Sequence, residues 1–113
     1  MIKHIQTDTN KDTGNCWQTA IAAVLDLPAE RVPHFVSHEG WWNYTYEWLW
    51  HHGYDLINTG RHLYTNEYYL VLGYTVRETF HVAVYQNGRM VHDPHPSQVG
   101  LTEEHNFLVI RQR

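Results

Sequence analysis

The chain has 113 residues, 42% of them apolar and 18% charged, which is enough for one globular domain with its own core and unlike a disordered segment. A formal net charge of −4 with no concentrated Lys or Arg argues against nucleic acid or an anionic membrane as the main partner, and no apolar run approaches membrane-spanning length. The single cysteine cannot form an internal disulfide and suits a reducing compartment, and the start of the chain lacks the long apolar core of a signal peptide, so a cytoplasmic protein is expected.

Ile2 to Gln6 reads as a short extended start, followed by a turn-rich loop from Thr7 to Gly14. Asn15 is a strong N-cap type, and Gln18 sits where a capping-box partner would reach back. Trp17, Ala20, Ile21 and Val24 have helical spacing, so a first helix is expected from Cys16 to about Leu25. Pro28 suits the start of a second, short helix over Ala29 to Val32, and Pro33 stops it. Phe35 is expected to pack back on the core. A third helix follows Gly40, from Trp41 to His52. Its stripes Trp41, Tyr44, Trp48 and Trp42, Tyr46, Leu49 predict a heavily buried helix, with Gly53 as a left-handed stop.

Strand formers dominate the second half: Tyr54 to Ile57, Glu67 to Leu72, Thr79 to Tyr85, Arg89 to Asp93, and Asn106 to Arg111. Thr59 to Asn66 reads as a loop. Asn87-Gly88 is a strong hairpin signal. Helices followed by strands predict an α+β fold, with the N-terminal helices packed on a mostly antiparallel sheet in one domain spanning residues 1–113.

Cys16, the first residue inside the first helix, would sit among unpaired N–H groups at the positive end of the helix dipole, where a thiolate is favoured. His81 and Asp93 lie on the two arms of the predicted hairpin. A two-residue Asn87-Gly88 loop sets His81 opposite Pro94 and turns His81 and Asp93 to opposite faces. A three-residue loop, Gln86 to Gly88, instead pairs His81 with Asp93 within reach of a hydrogen bond. In that register Asp93 orients the ring, His81 serves as base and then acid, and Cys16 attacks. The backbone N–H of Cys16 is one oxyanion donor. Gln6 and Asn10 are candidates for the second, with Gln6 favoured.

Gly14-Asn15-Cys16-Trp17-Gln18-Thr19-Ala20, Phe80-His81-Val82-Ala83-Val84 and Met90-Val91-His92-Asp93-Pro94-His95-Pro96-Ser97, in that order, resemble the cysteine, histidine and Asp-Pro motifs of the papain-like cysteine peptidase superfamily, in particular its small bacterial and phage-type members. Leu27-Pro28 through Val32-Pro33-His34-Phe35 adds to the likeness. The resemblance implies a papain-like fold and a hydrolase that cleaves peptide or isopeptide bonds through a Cys thioester, with Cys16, His81 and Asp93 as triad, Gln6 as oxyanion donor, and no cofactor or metal. It also implies a protein or peptide substrate and the cytoplasm of a bacterium or phage-infected host. The chain is short for a peptidase, which leaves room for a homo-oligomer or a partner protein to complete recognition.

Two other classes compete. Ten histidines raise the prospect of a metal protein, but the pairs His92/His95 and His51/His52 match no compact zinc spacing. A non-catalytic binding module on a papain-like scaffold would suit an aromatic-rich surface. His4, His34, His38, His62 and His105 are expected at surfaces or edges, and Trp17 in the core.

Overall fold

The computed structural model describes residues 1–10, 14–59, 63 and 65–113, so the expectation for His62 lies outside the described residues. Helix α1 runs Cys16–Leu25. It ends where Asp26 adopts the left-handed conformation and donates its N–H to Ala22 and Ala23, two residues ahead of Pro28. The expected short second helix is a single 3₁₀ turn, Ala29–Arg31, and a second such turn, Phe35–Ser37, was not foreseen. Both are pinned by prolines, and they bury Val32 and Phe35 beneath α1. Helix α2 runs Trp41–His51 behind a left-handed Gly40, and Gly53, at φ 88°, turns the chain out of it.

Five strands follow: β1 (Tyr54–Asn58), β2 (Tyr69–Tyr74), β3 (Phe80–Gln86), β4 (Arg89–His92) and β5 (Glu103–Gln112). They form one sheet in the order β1-β5-β2-β3-β4, and every neighbouring pair is antiparallel. Period-two alternation divides its residues between two layers. Leu56, Leu70, Leu72, Val82, Val84, Leu108 and Ile110 join Trp17, Ala20 and Ile21 of α1 and Leu49 of α2 in the main core. Tyr69, Val71, Ala83, Tyr85, Phe107 and Val109 form a second cluster, covered by Leu63 and Leu101. The architecture is therefore α+β, two helices on a five-stranded antiparallel sheet.

Several boundaries differ from expectation. Ile2 to Gln6 joins no ladder; Ile2 N–H bonds Ala23 and Gln6 N–H bonds Pro94. Strand β2 starts at Tyr69 rather than Glu67 and continues through Gly73 to Tyr74. A bulge between Leu72 and Gly73 brings the β5 backbone so close that a Cβ on Gly73 would lie 1.8 Å from the Glu103 carbonyl oxygen. Only glycine fits there. Helix α2 is not heavily buried: Thr45 and Leu49 are its only buried residues, and Trp42, Tyr46 and Trp50 are exposed. Its apolar arc is wider than the surface it covers, because it rests on β1 and the Phe35 turn along one narrow line.

Candidate active site

The β3–β4 hairpin decides whether His81 and Asp93 meet, and it follows neither register considered above. The loop has two residues, Asn87 and Gly88, both at positive φ, with Gln86 opposite Arg89. Continued unbroken, that register would turn His81 and Asp93 to opposite faces. A bulge intervenes: Tyr85 pairs with Met90, but Val84 pairs with His92, leaving Val91 as the extra residue. The shift puts Asp93 and His95, just past the end of β4, on the His81 side, where the His81 and His95 rings meet edge to face at 6.1 Å. His81 Nε2 lies 2.6 Å from Asp93 Oδ1.

Asp93 is fully buried, and both its oxygens are occupied. Oδ1 also accepts the His95 N–H at 2.9 Å, and Oδ2 accepts the Gly100 N–H at 2.8 Å. Burial favours the acid form, but the hydrogen bond from His81 and then these two amides hold its carboxyl below the usual range. For His81, burial alone would push the pKa down. Hydrogen bonds to Asp93 and then Cys16, with their charges, override it and raise the pKa to about 9.

Half-buried Cys16 opens α1. The capping expectation fails at this terminus in an informative way. Asn15 makes no side-chain cap; its Oδ1 accepts the N–H groups of Thr7 (3.1 Å) and Asp8 (3.0 Å), and its Nδ2 donates to Thr7 Oγ1 at 3.0 Å. Gln18 does not reach back either; it donates to the carbonyls of Ala29 and Val32. Asn15 therefore fastens the Thr7–Asp8 loop to the helix and leaves the first-turn N–H groups open toward Cys16. Gly14 completes the join, because a Cβ there would lie 2.5 Å from the Asn10 carbonyl oxygen.

Gln6, Asn10, Cys16 and His81 line one cavity of about 150 Å³. Gln6 is buried and fixed: its backbone N–H bonds Pro94, its Nε2 donates to the Asp8 carbonyl at 2.8 Å, and its Oε1 is buried with no partner. One Nε2 hydrogen stays uncommitted. Asn10 is exposed, its backbone engaged with Asp8 and Gly14. The same cavity has apolar walls from Trp17, Val36, Trp41, Leu72 and Val82, with Arg77, Phe80 and His95 beside His81. Trp17 is buried as expected, its indole N–H on Thr45 Oγ1 at 3.0 Å. Sequence reading gave Arg77 no part; its place depends on the β2–β3 turn.

The histidine pairs do not converge. His92 Nε2 meets the His4 carbonyl and His95 Nδ1 meets Ser97 Oγ. Among the described residues, no three His, Cys, Asp or Glu side chains group as metal ligands would. No helix among them is long and apolar enough to cross a membrane. Comparisons with protein-family models, with curated proteins and with solved structures return no match to this chain.

Proposed function

We propose that the chain is a thiol-dependent hydrolase of papain-like type, cleaving an amide bond, peptide or isopeptide, through a Cys16 thioester. One observation carries the reading: His81, held at 2.6 Å by buried Asp93, lines the same cavity as a cysteine at an uncapped helix start.

The chemistry follows from the geometry. Cys16 reacts as the thiolate, and protonated His81 beside it stabilises that charge. Sulfur attacks the carbonyl carbon, and the C=O electron pair moves onto oxygen. The Cys16 backbone N–H and the free Gln6 Nε2 hydrogen accommodate that oxyanion. As the C–N bond breaks, His81 gives its proton to the leaving amine, leaving a thioester. Water then loses a proton to His81 and attacks the thioester, releasing the acid and Cys16. Asp93 keeps the ring oriented and favours its charged form throughout.

Intact-mass spectrometry after treatment with a peptidyl vinyl sulfone tests the reading. Wild type gains one adduct on Cys16, Cys16→Ala gains none, and His81→Ala is slower by roughly 10²-fold or more. Equal labelling of wild type and His81→Ala would falsify the assignment.

A further inference from the structure

Among the described residues that line the cavity holding Cys16 and His81 there is no Asp or Glu, and the charged or chargeable groups besides those two are Arg77 and His95. Asp93, the partner of His81, is buried and already accepts three N–H groups. Arg77 makes no ion pair among the described residues. It is nevertheless held in place. Its backbone N–H bonds Thr75 Oγ1 at 3.1 Å, and Thr75, itself buried, bonds Thr79 Oγ1 at 2.9 Å. Its Nη1 donates to Ser97 Oγ at 3.2 Å, and Ser97 Oγ also meets His95 Nδ1 at 2.7 Å. A guanidinium has five N–H donors, so this bond leaves most of the fork open. Arg77 and His95 also sense one another: burial and then the Arg77 charge push the His95 pKa down. The protein as a whole is negative, so this is a local cationic lip on an acidic molecule.

A braced guanidinium without a counter-ion, beside apolar walls and a reactive thiol, matches one chemistry well. A carboxylate can take two parallel N–H bonds from it, and no Asp or Glu among the described residues pairs with it. We infer that Arg77 is a specificity-determining residue that binds a carboxylate carried by the substrate close to the scissile amide, so that acidic peptides or free chain ends are the preferred substrate class. This rests on the hydrolase reading above.

Alkylation of Cys16 by iodoacetate and by iodoacetamide separates the two ideas, since the reagents differ in the carboxylate. Normalised to free cysteine, wild type prefers iodoacetate by about ten-fold, the value of one good charge-assisted contact. Arg77→Gln loses that preference, read as the iodoacetate-to-iodoacetamide ratio within each protein, and Arg77→Lys keeps part of it. An unaltered ratio in Arg77→Gln overturns the carboxylate site while leaving the hydrolase standing. Iodoacetamide rates no faster than free cysteine, in wild type and variant alike, overturn the hydrolase itself. Two reagent pairs then separate the sources of the carboxylate. Peptidyl acyloxymethyl ketones with Glu or Gln beside the reactive group report a side chain, and epoxysuccinyl reagents as free acid or ethyl ester report a chain end. Arg77-dependent discrimination in either pair supports the site; its absence from both overturns it.

Discussion

Asp93 receives three hydrogen bonds on two oxygens, and this makes it unlike a simple ring-orienting group. An Asn could hold the His81 ring, which is why the sequence alone suggests that Asp93→Asn keeps much of the function. The structure argues otherwise. With its oxygen toward His81 and His95, the amide would point its NH₂ at the Gly100 N–H, donor against donor. The turn that brings Gly100 back to Asp93 carries no sequence signature. Asp93→Asn should therefore lose about 1–3 kcal/mol of stability, measurable by urea titration. The pH profile gives an independent check. Amide cleavage needs His81 protonated to supply the leaving group's proton, so hydrolysis of a peptidyl anilide should fall as pH rises through about 9. A p-nitrophenyl ester, whose leaving group needs little protonation, should not show that fall. In Asp93→Asn the carboxylate charge is gone, so the anilide limb should move down toward the ordinary histidine value of 6.5. An anilide profile that stays level past pH 9 in wild type would remove His81 from the acid role.

At the level of elements, the sequence disclosed what repeats and hid what depends on one residue of register. Period-two strands, the helix opening at Cys16 and the Asn87-Gly88 turn were all legible. The bulge at Val91 was not, yet it is what turns Asp93 to the His81 face. A three-residue loop would have reached the same side-chain contact through a different pairing, so a correct contact was expected from an incorrect register. Helix α2 shows the opposite limit: its aromatic arc was visible, but the narrowness of its support belongs to the tertiary packing. The α1 start shows a third, because Asn15 is a good cap by type and serves as a loop fastener by position. Ser caps a helix about as well as Asn, so a capping role would make Asn15→Ser nearly neutral. A fastener needs both the Asn carbonyl and its NH₂. Asn15→Ser and Asn15→Ala should thus be destabilised alike, by about 1–2 kcal/mol in urea titration, and both should slow vinyl sulfone labelling because Gln6 is no longer fixed beside Cys16. A neutral Asn15→Ser would return the residue to the cap.

Across the whole molecule, the β3–β4 hairpin that carries half of the site is tied together by groups that titrate, so stability and the site should respond to pH together. His81 has a folded pKa of about 9 against 6.5 when unperturbed. Its contribution is complete below 6.5 and disappears as pH rises through 9; the displacement is worth roughly 3 kcal/mol. Asp93 works at the other end. Its folded pKa lies below the ordinary 3.8, so its contribution is present above that value and is lost as pH falls through the folded one. His95, with its pKa lowered chiefly by burial, opposes His81 weakly by favouring the neutral ring. Maximum stability should therefore fall on the acid side of neutrality, between the two limits. Urea midpoints taken from about pH 2 to 9.5 should rise to a plateau and then decline through the range where His81 deprotonates. Gln in place of His81 can still donate to Asp93 but cannot titrate, so His81→Gln should lose the alkaline decline and keep the acid one. A curve for His81→Gln that falls above neutrality as steeply as wild type would place the titration elsewhere, and with it the charge that the thiol is argued to share.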